Sequence, residues 1–164
     1  MLLRENKDFT MKVIVIGATA YIAQHVIKEL LKENINGIGT VRSKTKGVYL
    51  SSLINSQHDI VPNIMAEGAF DQLLSENRDI NCFIHTACPV DFKAKDIQNE
   101  LLQPVIEKTK RALQAIEKCG NVKNIVVTSF TAAVRDSSGG RDRDAWITEL
   151  SWEQNHFRAR FSFT

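Results

Sequence analysis

The sequence predicts an α/β protein built on a doubly wound parallel sheet of about five strands. Short apolar runs rich in Val and Ile recur along the chain, a pattern typical of strands buried on both faces. Segments between them carry apolar residues every three or four positions, as amphipathic helices do. Because the two patterns alternate, we expect parallel strands whose right-handed crossovers place helices on both faces of the sheet.

The elements follow from these patterns in chain order. The predicted strands are Lys12–Ile16, Gly37–Val41, His58–Pro62, Asn81–Ala87 and Asn124–Phe130. The first helix begins soon after Gly17, and further helices are predicted over Val48–Asn55, Ala69–Glu76 and Asp96–Lys118. Pro104 is expected either to kink the last helix or to mark its true start.

Composition excludes several classes of function. The 164 residues carry a net charge of only +2 and no long basic run, so we expect no nucleic-acid partner. No apolar run approaches the ~18 residues of a membrane span, and no signal-peptide core is present. The three cysteines, Cys82, Cys88 and Cys119, lack zinc spacing and are interpreted as reduced thiols, which predicts a cytoplasmic protein without a metal site.

The turn after the first strand is the first candidate site. A tight strand-to-helix turn presents backbone N–H groups and the positive end of a helix dipole to a phosphate. Such turns usually have three glycines, but here Ala20 and Ala23 follow Gly17. Ala20 would weaken binding if its backbone needed a positive φ or if a phosphate lay against its methyl group. The alternative is a purely structural turn, as in any doubly wound sheet.

The end of the second strand predicts which dinucleotide would bind. An acidic residue there would bind a ribose 2′-hydroxyl group, and this chain has none. It has Arg42, followed by Lys44 and Lys46, and a guanidinium group suits a 2′-phosphate. The sequence therefore favours NADP(H) over NAD(H), and the alternative is a solvated basic turn.

Five segments then occur in order: GATAYIAQHVIKELL, VRSKTK, DIVPNI, FIHTACPVDF and IVVTSFTAAV. In these segments the chain resembles the extended short-chain dehydrogenase/reductases, specifically the fungal NADPH-dependent methylglyoxal and carbonyl reductases of the epimerase/dehydratase type. The resemblance runs from about Met11 to Trp152. It implies a Rossmann-like NADP-binding domain over residues 11–134, and we expect a flexible extension at 1–10 and an irregular tail at 135–164.

The resemblance also implies roles for individual residues on the phosphate side of the cofactor. Gly17, Tyr21 and Ile22 would line the pyrophosphate turn beside Ala20. Arg42 and Lys46 would hold the 2′-phosphate.

Further roles concern the two ends of the dinucleotide. Asn63 and Ile64 would flank the adenine, where the family usually has Asp at the first position. The loop of Ala87, Cys88 and Pro89 would pass the nicotinamide ribose. Thr128 and Ser129 would lie beside the nicotinamide.

Catalytic residues are harder to assign. The family transfers a hydride from NADPH to an aldehyde or ketone, and a tyrosine in a Tyr-x-x-x-Lys motif donates the proton. Tyr21 is followed four positions later by His25, and Tyr49 by Leu53, so neither forms this motif. The serine position of the family falls on Phe130, which leaves Ser129 and Thr131 as candidates.

These features predict a truncated NADPH-dependent carbonyl reductase that lacks the C-terminal part and the substrate domain and has little or no activity alone. The first alternative is a non-catalytic NADP(H)-binding or dimer-partner module that docks on a homologous reductase chain through its fifth strand. The second is a non-functional gene remnant. In each case the fifth strand is expected to be a bare apolar edge, which invites aggregation or pairing with a partner.

Overall fold

The computed structural model describes residues 11–54, 57–87 and 95–129. Its elements are β1 (Lys12–Ile16), α1 (Tyr21–Lys32), β2 (Asn36–Val41), α2 (Lys44–Ile54), β3 (Gln57–Ile60), α3 (Asp71–Glu76), β4 (Cys82–His85), a π-helical turn (Ile97–Leu102), α4 (Gln103–Cys119) and β5 (Asn124–Val127). Described residues up to Val127 belong to one compact unit, and Thr128 and Ser129 belong to a second.

The five strands form one parallel sheet in the order β3-β2-β1-β4-β5. Ile14 in the central strand lies opposite Ile38 of β2 on one side and Phe83 of β4 on the other. The chain first adds strands outward from β1 through β2 and β3, then returns to the other side of β1 with β4. This reversal between β1 and β4 is the topological switch point at which doubly wound sheets bind their ligands.

Helices cover both faces of this sheet, and each face has its own apolar core. Ile14 and Ile16 of β1 point into a cluster with Phe70, Phe83 and residues of α3 and α4. Val13 and Val15 point to the opposite face, where the cluster includes residues of α1 and α2. The alternation along one strand therefore supplies both cores, and the predicted doubly wound parallel sheet is confirmed.

Helix α2 begins four residues earlier than predicted. The segment from Lys44 to Gly47 had the composition of a charged turn, but Ser43 caps it as the first turn of the helix. The Ser43 carbonyl accepts the Gly47 N–H at 3.0 Å, and the Ser43 hydroxyl accepts the Lys46 N–H at 3.4 Å. A serine cap satisfies N–H groups that would otherwise lack an acceptor, and this stabilises helix in a sequence of weak periodicity.

The segment before β5 has two parts. A π-helical turn over Ile97–Leu102 follows Asp96, whose side chain accepts the Asn99 N–H at 3.1 Å. Helix α4 then starts at Gln103, whose N–H bonds back to the Gln98 carbonyl, so Pro104 is the second residue of the α-helix and directly follows the π-helical turn. Of the two alternatives for Pro104, the structure therefore shows the start of the α-helix.

Strand β5 lies at the edge of the described sheet and pairs with β4. Its side chains Ile125, Val126 and Val127 remain 37%, 49% and 47% exposed. The predicted apolar edge strand is therefore present among the described residues.

Within the same residues, none of the helices combines the length and apolar character that crossing a membrane requires.

Candidate functional site

The turn between β1 and α1 requires glycine at position 17. Gly17 has a φ of +80°, a left-handed conformation that side chains with a Cβ rarely adopt. A Cβ built at this position would lie only 2.9 Å from the Cβ of Ala87. The turn after β1 and the end of β4 therefore approach each other so closely that only glycine fits at position 17. This close approach lies at the switch point of the sheet.

Ala20 is the N-cap residue of α1, in an extended conformation with φ −73° and ψ 152°. It needs no positive φ, so the backbone strain considered at this position does not arise. An alanine side chain cannot accept a hydrogen bond, and α1 has neither a side-chain cap nor an acidic residue in its first turn.

The first hydrogen bond of α1 runs from the Gln24 N–H to the Ala20 carbonyl, at 3.0 Å. The N–H groups of Tyr21, Ile22 and Ala23 precede it and have no acceptor within the helix. These groups, together with the positive end of the helix dipole, make the start of α1 suited to an anion.

Thr40 ties the end of β2 to this turn. Its hydroxyl oxygen lies 3.3 Å from the Gly17 nitrogen and accepts its N–H, and its carbonyl accepts the Ala18 N–H at 3.1 Å. Thr40 is buried, whereas Arg42, two residues further on, is exposed. Arg42 therefore directly follows the strand whose end is hydrogen-bonded to the glycine turn.

A cleft of about 530 Å³ extends along the carboxyl ends of the strands. It is lined by Ile16, Gly17, Thr19, Ala20, Thr40, Val41, Arg42, Val61, Pro62, Asn63, Ile64, Met65, Thr86, Ala87 and Lys108. Among these described lining residues there are two cations, Arg42 and Lys108, and no carboxylate. Such a lining favours a negatively charged ligand.

The loop after β3 closes one end of the cleft. The Asn63 side-chain oxygen accepts the Met65 N–H at 3.0 Å, and its carbonyl accepts the Ala66 N–H at 3.2 Å. An Asn side chain forms this kind of turn as an Asp side chain does. Asparagine at this position is therefore compatible with the shape of the loop, although it contributes no charge to the cleft.

The end of β4 forms the central part of the cleft. The Thr86 hydroxyl donates to the Ile16 carbonyl at 2.6 Å and so joins β4 to β1 beyond their last paired residues. His85, just before it, is buried. Its burial and, to a smaller extent, the positive charge of Lys108 lower the pKa of His85, which favours the neutral imidazole.

The structure brings six of the residues singled out by sequence into this one cleft: Gly17, Ala20, Arg42, Asn63, Ile64 and Ala87. Three others do not line it. The side chains of Tyr21 and Ile22 are 77% and 57% exposed and line a separate groove along α1. The Lys46 ammonium lies 6.0 Å from the centre of the Tyr49 ring, on α2.

The remaining candidates cannot be placed in the cleft. Cys88, Pro89 and Thr131 lie outside the described residues, as does Phe130. Thr128 and Ser129 directly follow β5 and are exposed residues of the second unit.

Sequence reasoning missed Lys108. One feature of the sequence could have identified it. Lys108 lies between Leu101, Val105 and Ala112, so it interrupts the apolar stripe of the long helix.

No described residues form a metal site, since nowhere among them do three or more His, Cys, Asp or Glu side chains converge. The cleft therefore offers backbone N–H groups, two cations and an apolar floor as its means of binding a ligand.

Comparison with known proteins gives close matches. The chain is 35% identical over 149 residues to the NADPH-dependent methylglyoxal reductase GRE2 of Saccharomyces cerevisiae. The match covers 87% of this chain and 44% of that relative. The chain therefore spans less than half the length of the curated relatives that it matches.

Solved structures agree with the sequence comparison. The crystal structure of Gre2 from Candida albicans in complex with NADPH matches with a TM-score of 0.77 and 40% identity, over 87% of this chain and 45% of that one. Yeast methylglyoxal/isovaleraldehyde reductase Gre2 complexed with NADPH matches with a TM-score of 0.79 and 34% identity, over 90% of this chain and 45% of that one.

The resemblance to fungal methylglyoxal reductases is thus confirmed, and the fold of the described residues agrees with it. A family model also matches residues 14–155, from the middle of β1 to beyond β5. That match includes the second half of β1, all of β2 to β5 and every described residue that lines the cleft. The chain belongs to the 3-beta hydroxysteroid dehydrogenase/isomerase family.

Proposed function

We propose that this chain binds NADP(H) in the cleft at the carboxyl ends of β1, β2 and β4. One observation carries the proposal: the cleft joins an uncapped helix N-terminus to Arg42 and contains no carboxylate among its described lining residues. A dinucleotide with a 2′-phosphate needs an anion site at its diphosphate and a second one at the adenosine ribose. The cleft has the chemistry for both.

The residues divide between the parts of the cofactor. The diphosphate would lie at the Gly17 turn, against the first N–H groups of α1. Arg42 would hold the 2′-phosphate, with Lys46 as a second cation from the first turn of α2. The adenine would lie beside Asn63 and Ile64.

The nicotinamide end of the cofactor is assigned to the sheet edge after β4. Its ribose would pass Ala87 and the following residues Cys88 and Pro89. Thr128 and Ser129, which follow β5, are proposed to lie beside the nicotinamide ring. The close approach of Ala87 to Gly17 supports this assignment, because it places the end of β4 beside the proposed diphosphate site.

We also propose an oxidoreductase activity of the aldehyde or ketone reductase type for the protein to which this sequence belongs. NADPH, when bound, supplies the hydride. The similarity to methylglyoxal reductases supports this activity, and those relatives are more than twice as long as the matched region. No tyrosine of these 164 residues has a lysine four positions later, so we assign no proton donor here and expect little or no activity from this chain alone.

Ser129 and Thr131 remain the candidates for polarising a carbonyl oxygen. A cytoplasmic location is proposed as well. The described cysteines, Cys82 and Cys119, are free thiols, which is compatible with a reducing compartment.

Substitution of Arg42 tests the proposed function. Arg42→Ala should weaken NADPH binding about tenfold while leaving NADH binding within about twofold, because only NADPH has the 2′-phosphate. Lys46→Ala should have a smaller effect of the same kind. Dissociation constants for both dinucleotides would be measured by isothermal titration calorimetry.

Lys28→Ala is the matched control, because Lys28 is an exposed lysine on α1 outside the cleft lining. It should change neither constant. An Arg42→Ala variant that keeps the preference of the parent chain for NADPH would contradict the assignment of Arg42.

A further inference from the structure

Lys108 occupies an unusual position on α4. This helix packs on the sheet through Ala112, Ala115 and Ile116, which are buried. Residues four apart lie on the same side of a helix, so Lys108 is on the sheet-facing side one turn before Ala112. It is half-buried and lines the cleft, whereas Lys110 on the same helix is exposed and does not.

The connectivity explains why a lysine is tolerated at this position. Helix α4 links the parallel strands β4 and β5, so it runs in the opposite direction to them and its first turns stand at their carboxyl ends. At these first turns of α4, the apolar core ends and the cleft begins. The apolar stem of Lys108 can pack at the edge of the core while its ammonium group reaches the polar space beyond.

The charge of Lys108 acts at the end of β4. It is the second cause, after burial, of the lowered pKa of His85. His85 directly precedes Thr86 and Ala87, and Ala87 is the residue that meets Gly17. Lys108 and Ala87 line the same cleft, so the positive charge of Lys108 lies on the β4 side of it, whereas Arg42 follows the end of β2.

We propose that Lys108 is a further phosphate-binding residue, which contacts the diphosphate of a bound dinucleotide from the α4 side. This inference rests on the proposed function. The diphosphate would then lie between the N–H groups of α1 on one side and an ammonium group on the other. Helix α1 supplies only about half a positive charge against the two negative charges of the bridge, and Lys108 supplies a full one.

The contribution of Lys108 should not depend on the 2′-phosphate. NADPH and NADH share the diphosphate, so Lys108 should strengthen the binding of both equally. A half-buried ion pair is also less screened than a surface pair, but it still weakens with added salt. An equal contribution to the affinity for NADPH and for NADH, together with a dependence on salt, distinguishes a diphosphate contact from a structural role.

The test replaces the charge while keeping the stem. Lys108→Met is expected to weaken both NADPH and NADH about tenfold, with their ratio unchanged and the dependence on NaCl reduced. Lys108→Arg should restore binding to within about threefold. Lys110→Met is the matched control, because Lys110 lies on the same helix with its ammonium 4.0 Å from Glu107. Titrations at low and moderate NaCl, with thermal unfolding of each apo chain, give the readouts.

Three results would overturn the inference. If Lys108→Met and Lys108→Arg bind both dinucleotides as the parent chain does, Lys108 makes no such contact, and the proposed function stands. If only NADPH weakens, Lys108 serves the 2′-phosphate instead. If the folded parent chain binds neither dinucleotide, both proposals fall together. Should Lys108→Met not fold, Lys108→Gln replaces it with the same expected tenfold loss.

Discussion

At the scale of single residues, Gly17 shows how two separate demands act on one position. Its φ of +80° favours glycine, and the approach of Ala87 leaves no room for a side chain. Gly120 has a similar φ of +73°, but a Cβ there would meet nothing within 4 Å. The two glycines therefore separate the cost of backbone conformation from the cost of close approach.

We expect Gly120→Ala to lower the free energy of unfolding by about 1–2 kcal/mol through its φ alone. Gly17→Ala should cost about 1–3 kcal/mol more, because the new methyl group also collides with Ala87. Urea denaturation of both variants checks the difference, and NADPH titration should show a loss of binding for Gly17→Ala only. Equal destabilisation would mean that the turn moves away from Ala87 without cost.

Residue types predicted the site better than they predicted its geometry. Gly17 and Arg42 could be singled out because a tight turn and a 2′-phosphate each demand one kind of residue. The extended conformation of Ala20 could not be predicted, since an alanine at this position is compatible with several backbone conformations. Lys108 was not predicted, because a single lysine within an apolar stripe only indicates a break in periodicity. The packing of α4 on the sheet is needed to show that Lys108 lies on the side of the cleft.

At the scale of elements, helix α1 has an open N-terminus and a closed C-terminus. Asn34, with φ +55°, follows the helix, and the N–H groups of Asn34 and Ile35 bond back to the Leu31 and Leu30 carbonyls at 3.1 and 2.8 Å. This satisfies carbonyls at the end of the helix. The start has no corresponding side-chain cap at Ala20. The proposed phosphate site uses the groups left open there.

An Ala20→Asp substitution should therefore stabilise the apo chain and weaken cofactor binding. A carboxylate at the N-cap accepts first-turn N–H groups and is expected to add about 0.5–2 kcal/mol to the free energy of unfolding. The same carboxylate competes with the diphosphate for those groups, so NADPH affinity should fall at least about tenfold. Thermal unfolding and calorimetry give the two values.

Ala20→Gly is the control for this experiment, because it adds no charge and no acceptor. It should bind NADPH at least as tightly as the parent chain. An Ala20→Asp variant that binds NADPH normally would place the diphosphate away from α1.

The elements themselves were largely predictable, and their ends were not. Strong periodicity identified α1, α4 and the apolar strands, because burial on a sheet requires it. The start of α2 depends on the cap that Ser43 forms with Lys46, and the composition of that segment does not reveal it. The π-helical turn before α4 is capped by Asp96, and the periodicity of the sequence does not distinguish such a turn from an α-helix.

At the scale of the whole molecule, the described sheet has the proposed cofactor cleft over its central strands and an apolar strand at one edge. The cleft lies over the central strands, whereas β5 forms an edge with three exposed apolar side chains. An exposed apolar edge strand is a template for pairing with another chain. We therefore expect the 164-residue chain to self-associate through β5 without loss of cofactor binding.

A Val126→Lys substitution tests this expectation. A lysine on an edge strand opposes edge-to-edge pairing, so concentration-dependent self-association should fall severalfold in sedimentation velocity. Val48→Lys is the control, since Val48 is 62% exposed but lies on α2 and not on a sheet edge. Affinity for NADPH should be the same in both variants. Equal self-association of the two variants would show that β5 is not the contact.

A calorimetric titration of the folded parent chain with NADPH and with NADH tests directly whether the cleft is an NADP(H) site. We expect saturable binding of NADPH with one site per chain and at least about tenfold weaker binding of NADH, because Arg42 lines the cleft where an acidic residue would otherwise select NADH. Equal affinities, a preference for NADH, or no binding by a chain shown to be folded would contradict it.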